Sequence, residues 1–384
     1  MSRIKLLLAL VVVTLSAAGV AAAQTGGAQT FPLPGDEVYP EGVAYSPGTG
    51  DFFVGSTTDG AVFRGNVGEP SVEAETLLEP GADGRSMAIG MKVDSSGRLF
   101  IAGGDTGRMF VYDTASGELL GRFDNGADST FVNDVALTPD GSAFFTDSMN
   151  PELYRVFPDG SGGYRQETYL EFEGTPVEYE EGFNLNGLAA TPDGRYLFTV
   201  KSLSGQLFRI DTRSKEVVEI DTGGADLTNG DGLLLLGRTL YVVRNQNEVL
   251  VPVELSPDYS GGTAGEGFTD DSLMYPTTIA AYDGRLLAVN SQFDARDEGR
   301  QPDLPFTVSD IPIPQGAAPA SASATAGSSA TASATASATA SATAAGSVPS
   351  VPDTGGVPSG AVVLLAALLA GAGAIAIGYT VARR

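Results

Sequence analysis

Residues 133–147 read Asn133-Asp134-Val135-Ala136-Leu137-Thr138-Pro139-Asp140-Gly141-Ser142-Ala143-Phe144-Phe145-Thr146-Asp147. The run is a short apolar strand, a Pro-Asp-Gly turn and a second apolar strand, opened by an oxygen-bearing side chain. Five other stretches open in related ways: Glu41-Gly-Val-Ala-Tyr, Ile89-Gly-Met-Lys-Val, Asn186-Gly-Leu-Ala-Ala, Asp231-Gly-Leu-Leu-Leu and Thr278-Ile-Ala-Ala-Tyr. Their second strands carry Phe52-Phe-Val, Leu99-Phe-Ile, Tyr196-Leu-Phe, Leu240-Tyr-Val and Leu286-Leu-Ala. Successive openings lie 48, 44, 53, 45 and 47 residues apart (89−41, 133−89, 186−133, 231−186, 278−231). A period of roughly 40–50 residues with several strands per unit is the mark of a β-propeller. The expected fold class is therefore all-β. Six four-stranded blades should surround one channel, the last using strands near Leu286–Val289 and Phe306–Ile311.

A propeller brings one position of every blade to one rim of its channel. Glu41, Asn133, Asn186 and Asp231 sit immediately before the expected innermost strands. Two carboxylates and two amide oxygens facing one another suit Ca²⁺, with Mg²⁺ or Mn²⁺ as other hard cations for such a set. Asn-Gly, Asn-Asp and Asp-Gly are also ordinary turn dipeptides. Position separates the two uses. Pro139-Asp140-Gly141, Pro192-Asp193-Gly194 and Ser96-Gly97 lie between the two strands of a phrase and read as turns, whereas the four candidates precede the first strand.

The chain contains neither His nor Cys. This excludes disulfides, the usual zinc ligand sets and every Ser-His or Cys-His nucleophile pair. Carboxylates, Lys, Tyr, hydroxyls and a hard metal remain for chemistry. The formal charge is −25 over 384 residues. Repulsion removes nucleic acid and acidic membrane surfaces as default partners. The acid excess reads mainly as solubility and turn chemistry.

Beyond the repeats the composition changes sharply. Residues 1–23 carry Arg3 and Lys5, the apolar run Leu6–Leu15 and a closing Ala21-Ala22-Ala23, the layout of a secretory signal peptide. Residues 24–30 read as a polar leader and residues 31–314 as the propeller, expected to be monomeric. Residues 315–350, almost entirely Ala, Ser, Thr and Gly, hold too few large apolar side chains to bury a core and read as a disordered stalk. Val351-Pro352-Asp353-Thr354-Gly355 precedes an apolar run over residues 361–381 and a basic tail, 382–384. That run is long enough for a transmembrane helix, with the terminal arginines inside. The box, span and tail resemble a Gram-positive cell-wall sorting signal, with Val351 where that signal has Leu. The resemblance implies that a sortase joins Thr354 to the wall; a plain membrane anchor is the other reading. Either way the propeller stands outside the cytoplasmic membrane, at its outer face or on the cell wall.

Glu41-Gly, Asn133-Asp, Asn186-Gly and Asp231-Gly, with Phe144-Phe-Thr-Asp147-Ser after the turn, resemble the metal-ligand segments of the SMP-30/gluconolactonase/LRE-like family. The resemblance spans roughly residues 31–313. It implies a six-bladed propeller with a divalent ion on the channel axis, Ca²⁺ or Zn²⁺, and lactone or ester hydrolysis. It further implies that Asp231 is both ligand and general base, with Glu41, Asn133 and Asn186 as the other ligands. Two departures bear on substrate. Phe131 stands where the sugar-lactonase branch has an Arg, and the His pair of the related paraoxonases is absent. The leading expectation is a metal-dependent hydrolase of a small-molecule lactone or ester. The alternative is a non-catalytic, surface-displayed binding propeller with a structural Ca²⁺. Strictosidine synthase-like condensation has no specific support in the residues.

Overall fold

The Pro139-Asp140-Gly141 turn folds as its composition dictates. Asp140 Oδ1 accepts hydrogen bonds from Ser142 N (3.1 Å) and Thr138 Oγ1 (2.6 Å), and Gly141 adopts φ +83°. Asp193 repeats the arrangement one blade later, accepting from Arg195 N (3.1 Å) and Thr191 Oγ1 (2.6 Å). A side chain that hydrogen-bonds its own backbone two residues on, followed by a glycine free to take positive φ, closes a tight connection. Each turn thereby joins the first two strands of a sheet.

The computed structural model describes residues 29–314, which form six four-stranded antiparallel sheets. Blade one holds Pro40–Ser46, Asp51–Ser56, Val62–Asn66 and Glu75–Leu78; blade two holds Met91–Val93, Arg98–Ala102, Arg108–Asp113 and Leu119–Asp124. Blade three holds Val132–Leu137, Ala143–Asp147, Glu152–Pro158 and Tyr164–Glu171; blade four holds Leu185–Ala190, Tyr196–Lys201, Leu207–Asp211 and Val217–Glu219. Blade five holds Gly230–Leu236, Thr239–Arg244, Val249–Leu255 and Gly262–Ala264. The first strands of neighbouring blades pack on one another around the axis, so they are the innermost. The expected six-bladed, all-β architecture is the architecture found.

Blade six closes the ring. It holds Pro276–Tyr282, Arg285–Asn290 and Thr307–Pro312, and its outermost strand, Gln29–Pro32, comes from the other end of the described chain. Gln29 pairs with Asp310 and Phe31 with Val308. Gln29 and Thr30 fall within the stretch read as a leader, so strand pairing begins two residues before the expected boundary. Phe31 explains the pairing. It is 1% exposed and its ring lies 5.0 Å from that of Phe52 in blade one, so it draws the preceding residues onto the sheet.

The core is layered between blades, one apolar cluster to each interface. Phe53 and Val62 of blade one face Leu99, Ile101 and Phe110 of blade two. Phe144 and Leu153 face Leu188, Leu197 and Phe208 across blades three and four. Alternating strands on twisted sheets bury both faces this way. Each fully buried Leu or Phe contributes roughly 1.5–3 kcal/mol. The signal peptide, most of the leader, the stalk, the sorting box, the 361–381 span and the basic tail lie outside the described residues. No helix among the described residues is long and apolar enough to cross a membrane.

Candidate functional site

The four candidates lie one residue inside their strands rather than just before them. Glu41, Asn133, Asn186 and Asp231 are each the second residue of an innermost strand. The register explains the difference. Pairing with the second strand shifts between Pro40 and Val43, Val132 and Val135, Leu185 and Leu188, and Gly230 and Leu233. A β-bulge therefore holds each candidate, and bulges re-aim side chains without ending a strand. Blade six has the same shift between Pro276 and Ile279. Thr277, not Thr278, is thus the residue equivalent to Glu41. Blade two places Ile89 there.

All four candidates line one cavity of about 440 Å³ at one mouth of the channel. Each is at most 7% exposed. The residue after the candidate is glycine in three blades because the strands crowd the axis. A Cβ on Gly42 would stand 2.2 Å from Ile89 O, and one on Gly187 2.1 Å from Asp231 O.

A second ring of side chains holds the first. Asn133 Nδ2 donates to Ser148 Oγ (2.8 Å), Asn186 Nδ2 to Ser202 Oγ (3.2 Å), and Asn245 Nδ2 to Asp231 Oδ2 (2.7 Å). Ser148 Oγ in turn donates to Leu185 O at 2.7 Å, and Ser202 Oγ to Gly230 O. Ser148, Ser202 and Asn245 each follow directly on the second strand of their blade. Thr57 and Ser291 occupy the same place in blades one and six. Thr57 Oγ1 donates to Tyr39 O (2.7 Å), while Ser291 meets the Thr277 hydroxyl (2.7 Å), which donates to Glu41 O (2.8 Å). The sequence reading missed this ring, although a polar residue recurring after the second strand in five of six blades is a visible signal. The stretch Ser291-Gln292-Phe293-Asp294 lies between the second and third strands of blade six. It leads into the short helix Phe293–Asp297, whose Phe293, Arg296 and Asp297 reach the cavity.

Asp134 is the other missed residue. It reads as half of a turn dipeptide, yet it is 3% exposed and sits on the crowded axis. Its Oδ2 accepts from Leu188 N (2.7 Å), its Oδ1 from Val135 N (2.8 Å), and Lys92 Nζ lies 3.7 Å from Oδ1. Three carboxylates thus share a small volume with one ammonium group. Burial first, then the charges of Asp231 and Asp134, hold the Glu41 carboxyl well above the carboxylate range; Lys92 and a hydrogen bond from Thr278 pull the other way. Burial pushes Asp231 up to about 7, against hydrogen bonds from Asn245 and Asn186.

Two atoms bear on whether a cation fits. Glu41 Oε2 and Asn186 Oδ1 are buried with no hydrogen-bond partner. Unpaired buried oxygens are costly, and both belong to residues that line this cavity. Among the described residues no group of three or more His, Cys, Asp or Glu is arranged to hold a metal ion. The oxygen set is instead two carboxylates and two amides, which suits a hard cation. The residues present fit a divalent ion of the Ca²⁺ type.

No protein-family model matches the chain, and no curated protein matches it either. Solved structures resemble its fold. The Malassezia sympodialis allergen Mala s 1 is 15% identical, covering 74% of this chain and 96% of its own, with a TM-score of 0.57. Regucalcin, a calcium-binding protein of Agrobacterium tumefaciens, is 16% identical over 72% of this chain and 92% of its own, with a TM-score of 0.51. Virginiamycin B lyase of Staphylococcus aureus is 11% identical over 75% and 99%, with a TM-score of 0.50. At these identities the likeness bears on the fold alone: this chain is a six-bladed propeller, and regucalcin is among the proteins whose fold it is similar to.

Proposed function

We propose that the chain is an exported, surface-anchored hydrolase that uses a divalent ion, Ca²⁺ before Zn²⁺, Mg²⁺ or Mn²⁺, to cleave a lactone or ester. One observation carries the reading. Four oxygen-bearing side chains from four blades line one cavity, and two of their oxygens, Glu41 Oε2 and Asn186 Oδ1, are buried without partners. Glu41, Asn133, Asn186 and Asp231 are the residues that hold the ion. When bound, a divalent ion supplies Lewis-acid polarisation of the carbonyl and of an attacking water.

The chain's own groups do the rest. Asp231 takes a proton from the attacking water, and Asn245 Nδ2 fixes its Oδ2 at 2.7 Å. Ser148 and Ser202 hold the amide NH₂ groups of Asn133 and Asn186, which orients the amide oxygens, as outer-shell partners do around ligating groups generally. Regucalcin's description as a calcium-binding protein agrees with the choice of ion.

Asp231→Asn tests the roles separately. It keeps shape and one oxygen while removing charge and basicity. Retained but weakened Ca²⁺ binding with loss of hydrolysis across a lactone and aryl-ester panel is the expected result; full activity overturns the base assignment. Ca²⁺ binding by the native protein with no turnover on the panel favours a non-catalytic binding propeller instead.

A further inference from the structure

The cavity has two unlike walls. Blades five and six contribute Asn229, Gln246, Arg296 and Asp297 beside Tyr275 and Phe293, whereas blades two to four contribute the apolar group Met87, Ile89, Phe131, Phe183 and Leu203 beside Asn133, Asn186 and Ser202. Phe183 is 43% exposed and Leu203 54% exposed. Large side chains this open are costly in water, and gathered in a concave site they mark ligand contact. The wall is also preformed. Phe183 packs edge-on against Phe131 with centroids 4.9 Å apart. Its neighbour Asn184, 1% exposed, ties down the loop: its Oδ1 accepts from Glu180 N (2.8 Å), and its Nδ2 donates to Glu180 O and Gly182 O (both 2.9 Å). A rigid aromatic held open to solvent loses little freedom when a ligand covers it.

We infer that the substrate is a lactone or ester bearing an alkyl or aryl group, and that this group lies on the Phe131–Phe183–Leu203 wall with the carbonyl at the oxygen cluster. The assignment of the reactive group rests on the hydrolytic reading above; the assignment of the apolar group rests on the wall. A polyhydroxylated ring laid on Phe131, Phe183 and Leu203 finds no hydrogen-bonding group on those three side chains, and hydroxyls left unpaired are costly.

Two non-hydrolysable probes of one ring size separate the possibilities: a δ-lactam carrying a hexyl chain and gluconolactam. Each is titrated calorimetrically into the Ca²⁺-supplemented protein, and turnover of the two matching lactones is followed in parallel. The hexyl lactam should bind more tightly than gluconolactam. Phe183→Ser and Leu203→Ser, both at exposed positions, should each weaken it by about tenfold, the scale of a lost aromatic or apolar contact. Ca²⁺ affinity should not change in either variant. Tighter binding of gluconolactam, binding of neither probe, or indifference of the hexyl lactam to both substitutions overturns the assignment. Hexyl-lactam binding without turnover of its lactone leaves the wall standing and removes the hydrolytic reading. Turnover confined to the hydroxylated lactone does the reverse.

Discussion

Glu41 and Asp231 are both raised by burial, which gives the cation-free protein a defined pH response. Asp231 moves from an ordinary 3.8 to about 7, and Glu41 moves in the same direction. Between those values the folded chain holds more protons than the unfolded chain. The resulting stability is fully present below the unfolded value and is lost as pH rises through the folded one. The melting temperature of chelator-treated protein should therefore fall between about pH 4 and 7, and Asp231→Asn should flatten the fall. Calorimetric scans across this range check it; a rise with pH over the window contradicts it. Lys92 bears on the same balance. Lys92→Met leaves Asp134 buried with only backbone donors, and breaking a buried pair costs roughly 3–5 kcal/mol. Because Lys92 is a quarter exposed, the cost should fall at or below the low end of that range, read from the urea midpoint.

At the scale of the element, the bulge and the residue after it decide the site. Gly187→Ala places a methyl group 2.1 Å from Asp231 O. Backbone must move to admit it, at a cost of at least the roughly 1–3 kcal/mol of an overpacked core. An unchanged urea midpoint would show that the inner strands are less crowded than described. Ser148→Ala and Ser202→Ala act differently. They free the amide, so Ca²⁺ affinity should drop by about 10–100-fold, the usual effect of losing an outer-shell partner. They also unpair Leu185 O or Gly230 O, so the melting point of the chelated protein should fall too, by the equivalent of roughly 1–3 kcal/mol. These elements also show what was legible beforehand. Glu41, Asn133, Asn186 and Asp231 stood out because each precedes an apolar run at blade spacing, a signal carried by the chain itself. Their bulged geometry did not stand out, since a bulge is defined by the partner strand. Asp134 was hidden because Asn-Asp is ordinary turn chemistry; only the close approach of Gly90, Lys92 and Leu188 reveals its role.

For the whole molecule, the ring is closed by Gln29–Pro32 pairing with Thr307–Pro312. Phrase spacing made the blade count readable, but not this closure, because the outer strand carries no phrase and comes from the far end of the domain. Removing residues 29–32 exposes the edge of Thr307–Pro312 and uncovers Phe52, and should lower the melting temperature of the domain as a unit. Loss of only a local signal in hydrogen exchange, with the melting point kept, would mean that the ring does not depend on the closing strand. The central claim spans all three scales: four blades deliver four oxygens to one cation. Calorimetric titration of Ca²⁺ into the chelator-treated protein, beside the Glu41→Gln/Asp231→Asn double variant, tests it most directly. The account predicts one ion per chain for the native protein and none for the double variant, whereas equal binding by both proteins, or binding by neither, contradicts it.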